Sequence, residues 1–122
     1  MNAILDRVGM TASLFCSVHC ALHGLLPVAL ALGFILGPVL EWTLVIVSVV
    51  LAVITGFMGL RVHGSTRVAL PLFAFAVILL AGRFLEDVMP DGHAVFGAAA
   101  GIGLAMAHLQ NLRACSAARK AD

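Results

Sequence analysis

The chain has 122 residues, 62% of them apolar and 11% charged, with a formal net charge of +1 and a mean hydropathy of +1.12. Soluble domains carry about 45–50% apolar and about 25% charged residues, so too little polar surface remains to cover a water-facing globule, and a soluble fold is excluded. Seven Lys and Arg against six Asp and Glu supply no basic field for gripping a phosphate backbone, which excludes nucleic acid as a partner.

A helix that spans a bilayer needs about 20 mostly apolar residues, and the charges leave four such runs. The first, 8–36, contains no Lys, Arg, Asp or Glu. Its 29 residues would reach about 44 Å at 1.5 Å per residue, more than one crossing needs, so a kink at Pro27 is expected to absorb the excess. Ala29-Leu30-Ala31 has the small-x-small form of a signal-peptide cleavage site, but the preceding apolar stretch is long and holds two His, which argues against that reading. Gly37-Pro38 and Glu41 predict a stop and a turn. The second run, 43–60, is rich in Val and Ile and ends at residues 61–67, read as a polar hairpin. The third, 68–85, has Pro71 in its first turn, where a missing N–H costs least. The fourth, 94–112, is followed by a short polar tail with Arg113, Arg119 and Lys120. The expectation is an all-α integral membrane four-helix bundle, one domain over residues 1–122, with the lipid bilayer as its solvent.

Basic residues near span ends are retained in the cytoplasm. With four spans, Arg7, Arg61, Arg67, Arg113, Arg119 and Lys120 share one side, and Arg83 stands on the other among acids. Both termini are therefore expected to be cytoplasmic.

Membrane helices associate through small residues that let backbones approach. Gly33 and Gly37 are four apart, as are Gly97 and Gly101. At 100° per residue, Gly97, Gly101, His108, Asn111 and Cys115 fall within an arc of about 80°, so the fourth helix has a close-packing face that turns polar toward its end. The glycines are read as packing residues. Four short helices enclose little volume, which favours a homodimer.

Four of the eight Cys and His residues, Cys16, His19, Cys20 and His23, fall in one eight-residue window. Their i, i+3, i+4, i+7 spacing puts them on one helical stripe, inside a span where polar side chains are unfavourable and usually functional. Thiolate and imidazole are ligands for soft or borderline ions such as Hg(II), Cu(I) and Zn(II), and two thiols one turn apart can reach a common ion. One helix seldom completes a coordination shell. Counted from the charged ends of their helices, Cys16 and His108 lie at depths that could face each other, with His63 on the hairpin and Cys115 beyond the fourth helix as exit ligands. Glu86, Asp87, Asp91 and His93 would form an acidic mouth on the opposite side.

Asp6-Arg7 before Val8-Gly9, then Ser13-Leu14-Phe15-Cys16-Ser17-Val18-His19-Cys20, Arg61-Val62-His63 in the middle and His108-Leu109-Gln110-Asn111-Leu112-Arg113-Ala114-Cys115 at the end together resemble the MerC-like membrane proteins. The Cys-x-x-His-Cys element is the most specific part, followed by the closing His-x-x-Asn-x-Arg-x-Cys. The resemblance implies a four-span protein of a bacterial-type inner (plasma) membrane that carries mercuric ion into the cytoplasm. It makes Cys16 and Cys20 the ion-binding thiols, with His19 beside them and His63 and His108 as auxiliaries. The thiols stand four apart with an imidazole between, which widens the choice of ion toward Zn(II) or Cu(I).

The leading expectation is a metal-binding transport protein that passes an ion from ligand to ligand, with no enzymatic step and no nucleotide-binding motif. A membrane thiol-redox enzyme would use Cys16 and Cys20 with a quinone, although such enzymes usually work from Cys-x-x-Cys. A haem-binding electron carrier would take His19 or His23 and His108 as axial ligands. A packing subunit would tolerate alanine at both thiols.

Overall fold

The computed structural model describes the backbone of residues 2–25, 27–86 and 88–121, and their side chains except those of residues 2, 23–36, 38, 90, 91 and 93. Four helices follow one another: α1 (Asn2–Leu25), α2 (Pro27–His63), α3 (Thr66–Phe84) and α4 (Pro90–Ala121). Among the described residues, stretches of α2 (Val39–His63), α3 (Thr66–Phe84) and α4 (Ala94–Ala121) are each long and apolar enough to cross a membrane.

Neighbouring side chains give the helix directions. Gly9 of α1 meets His108 and Cys20 meets Gly97, so α1 runs antiparallel to α4. Thr55 meets His108 and Gly59 meets Asn111, so α2 runs parallel to α4. Gly56 packs on Phe73, and Gly103 on Phe75. With Trp42 edge-on to Phe84 at 5.7 Å, these contacts set α3 antiparallel to both α2 and α4. The start of α1 and the end of α4 therefore share the end of the bundle that carries the α2–α3 turn.

The surface is inverted relative to a soluble protein. Phe15, Val77, Phe57 and Met106 are exposed, whereas Asp6, Ser13, Ser48, Thr55, His108 and Asn111 are buried. The core consists of Cys16, Cys20, Val45, Ala52, Leu72, Ala76, Leu79, Ala100, Leu104 and Ala107, many of them small, as expected where close backbone approach holds helices together in lipid. Ser17 Oγ donates to the Ala98 carbonyl at 2.8 Å and ties α1 to α4. These features make the protein an all-helical membrane bundle.

The helix boundaries depart from the expected spans in three places. The described part of α1 ends at Leu25 and that of α2 begins at Pro27; α2 runs unbroken through Gly37-Pro38 to His63, where a turn had been expected. A proline suits the first position of a helix, and in hydrocarbon every backbone polar group needs an internal partner, so Gly and Pro are kept inside helices more often than in water. The hairpin at 61–67 shrinks to Gly64 and Ser65; Gly64 adopts φ +66° and donates to the Leu60 carbonyl at 3.0 Å, the left-handed helix end that favours glycine. His63 thus belongs to the last turn of α2. Finally, α4 continues to Ala121, which places Cys115 inside it and not beyond.

Candidate metal site

Cys16 and Cys20, one turn apart on α1, are each 1% exposed, and none of the three cysteines forms a disulfide. The Cys16 and Cys20 thiols are in mutual hydrogen-bond contact and lie within the field of Glu41. The opposite wall is α4, whose Gly97 brings its backbone against the Cys20 sulfur. Beyond the thiols, the end of the bundle closes with an ionic group: Arg83 Nη2 stands 3.6 Å from Glu41, pairs with Glu86 and stacks over Trp42 at 5.0 Å. Of the expected acidic mouth, Glu86 is therefore committed to Arg83. Asp87 and the side chains of Asp91 and His93 lie outside the described residues, as does that of His23. His19 is half-buried beside the thiol pair.

A second buried cluster lies toward the other end. Ser65 N–H donates to His63 Nδ1 at 3.0 Å. Nδ1 is thus the acceptor, and Nε2 carries the proton that His63 donates to Asn111 Oδ1 at 3.0 Å. Asn111 Nδ2 donates to both Asp6 oxygens, at 3.1 and 3.0 Å, and lies 3.3 Å from the Thr55 carbonyl. His108 Nδ1 is 3.2 Å from Asp6 Oδ1 and 3.3 Å from Thr55 Oγ1. An ionised carboxylate only accepts, so the proton of a neutral His108 sits on Nδ1. Its Nε2 is then a buried lone pair with no hydrogen-bond partner. A carboxylate that holds one ring nitrogen and leaves the other bare is the arrangement that orients metal-binding histidines.

Three helices build this network, and glycines make room for it. A Cβ at Gly9 would stand 2.4 Å from His108 Cε1, and one at Gly59 would stand 2.1 Å from Asn111 Oδ1. These glycines admit polar side chains as well as neighbouring backbone, a role beyond the packing read from the sequence.

His63 and His108 are joined through Asn111 and Asp6, but His108 does not face Cys16. Its level on α1 is Gly9, and Cys16 lies seven residues, or about 10 Å, further along the helix. The charged ends used to reckon depth were poor markers, because α4 runs well past Arg113. Cys115 is buried near Asp6, whose charge bears on it. Among the described residues no three or more His, Cys, Asp and Glu side chains form a group able to hold a metal ion. Asp6, Thr55 and Glu41 were not among the expected site residues; an acid beside Arg7 in the first turns of a helix with no other charge was the available signal for Asp6.

The model of the family described as MerC mercury resistance protein matches residues 6–113. No curated protein and no solved structure matches the chain. The family match begins at Asp6 and ends just past Asn111, so it takes in all four helices and both buried clusters. Over that extent the chain belongs to the MerC mercury resistance protein family.

Proposed function

We propose that this membrane protein captures a soft metal ion, mercuric ion first among them, between the Cys16 and Cys20 thiols and passes it along the bundle. The observation that carries this reading is the contact of two buried thiols one turn apart, neither of them in a disulfide. Two sulfurs, with no group of three or more His, Cys, Asp and Glu side chains around them among the described residues, suit an ion content with two-coordination, which mercuric ion and Cu(I) accept, whereas zinc sites are almost always four-coordinate. His19, and His23 as the fourth member of the sequence stripe, are assigned to entry and exchange. His108, with its bare Nε2, is the next ligand toward the end that holds both termini, followed by His63 and Cys115. We place this end in the cytoplasm of a bacterial-type inner membrane, on the distribution of Lys and Arg. Passage is ligand exchange and involves no enzymatic step.

The contact between the thiols is also what a dithiol–disulfide couple requires, and this keeps the redox reading as the alternative. One experiment separates the two. The detergent-purified chain is titrated with mercuric ion and followed by thiolate-to-metal charge-transfer absorbance, beside Cys16→Ser/Cys20→Ser. Stoichiometric uptake that disappears in the variant is the expected result. Equal uptake by both proteins overturns the proposal, and a disulfide that turns over with a quinone in place of metal binding favours the redox reading.

A further inference from the structure

Gly97 and Gly101 are a pair four residues apart on α4, yet they meet different parts of α1. A Cβ at Gly101 would stand 2.8 Å from the Ser13 carbonyl oxygen and 3.0 Å from Ser17 Cα. Those are backbone atoms and can yield only if the helices separate, so Gly101 sets the α1–α4 distance. A Cβ at Gly97 would stand 2.6 Å from the Cys20 Sγ and 3.0 Å from its Cβ. The sulfur is the free end of a side chain with one rotatable bond, and in a helix that bond has essentially two usable rotamers. The closer clash of an added methyl at Gly97 is therefore relieved by turning the Cys20 sulfur away, while the Cys20 Cβ, 3.0 Å off, must give by a few tenths of an ångström. Turning it away breaks its contact with Cys16.

We propose that Gly97 is a positioning residue for metal capture: by bringing bare backbone against the Cys20 sulfur, α4 keeps that thiol directed at Cys16 and forms the second wall of the two-sulfur site. The inference rests on the reading of Cys16 and Cys20 as the ion-binding thiols. The register that puts Gly97 opposite Cys20 is held by the Ser17–Ala98 hydrogen bond of 2.8 Å and by the close approach at Gly101. The thiol site thus belongs to two helices, although both sulfurs come from one.

The test uses the full chain in detergent with mercuric ion as the probe and a monothiol competitor to measure affinity. Gly97→Ala, which retains both thiols, is expected to bind at least about tenfold more weakly, a change of about 1.4 kcal/mol, while its melting temperature stays close to that of the parent. In a Cys20→Ala background, where there is no sulfur to displace and only the 3.0 Å approach to the Cβ remains, Gly97→Ala should leave the residual binding unchanged and lower the melting temperature no more than it does in the parent. If Gly97→Ala binds like the parent while Cys16→Ser/Cys20→Ser does not bind, the positioning role is overturned and the thiol reading stands. If Cys16→Ser/Cys20→Ser binds like the parent, both fall. Should Gly97→Ala alone fail to fold, the double variant decides: folding regained with Cys20→Ala supports the inference, and folding still lost overturns it, since the glycine then serves the backbone.

Discussion

The two buried clusters of this bundle are built on opposite plans. The thiol pair comes from consecutive turns of one helix, and the Cys16 and Cys20 sulfurs contact each other. The Asp6–Asn111–His63 and Asp6–His108 network draws on α1, α2 and α4 and uses both oxygens of its carboxylate. A thiol is a weak donor and acceptor, so it can exchange partners at little cost, which is what passing an ion requires. A saturated network in a low-dielectric interior resists exchange, because every contact broken leaves a buried polar group unpaired. On the proposed function, the difference assigns stability chiefly to the polar network and ion capture chiefly to the thiols, with His108 Nε2 the one open end of the network.

This division can be broken by substitution, with stability read as thermal or denaturant unfolding in detergent. The largest loss is expected for Asp6→Ala, which removes the carboxylate acceptor of Asn111 Nδ2 and His108 Nδ1. Hydrogen bonds to a charged group contribute about 1.5–3 kcal/mol each in a soluble protein, and hydrogen bonds between membrane helices are weaker, so about 3 kcal/mol in total is the expected value. Next comes Gly59→Ala, whose methyl would displace the Asn111 amide and sever its bond to His63; overpacking of this kind costs about 1–3 kcal/mol. Thr55→Val removes the hydroxyl contact to His108 together with the hydroxyl's bond to the Leu51 carbonyl of its own helix; the interhelical part should cost about 0.6 kcal/mol, a typical value in a membrane.

The smallest effect on stability is expected for Cys16→Ser/Cys20→Ser, within about 1 kcal/mol, because a helical serine can return its proton to the carbonyl four residues earlier. The same variant should lose mercuric ion uptake entirely. Thiol variants that destabilise the chain as much as Asp6→Ala, or an Asp6→Asn chain that stays folded yet loses uptake at intact thiols, would erase the line between the two regions.

The thiol pair was legible in the sequence because its spacing is local: four Cys and His within eight residues share a helical stripe whatever the helix packs against. The polar network was only half legible. His108 and Asn111 could be placed on one arc of α4, but their carboxylate lies 102 and 105 residues away, and helical periodicity carries no information across that separation. The turn expected at Gly37-Pro38 failed for a related reason. Gly and Pro signal turns where water can take over the freed backbone groups, and in a bilayer that substitute is missing. His63 and Cys115 were assigned to loops because charges surround them; both lie within helices.

Composition alone determined the solvent of this protein and its helical class, since a chain so apolar can satisfy its backbone in lipid only by closing hydrogen bonds within each segment. Local spacing determined that two thiols share one face. The tertiary structure decided which glycine meets which side chain, which of the histidines stands with a carboxylate, and how far His108 lies from the sulfurs. These depend on the register of helices distant in sequence, and that register is set by packing and by a few interhelical hydrogen bonds rather than by the pattern within any one helix.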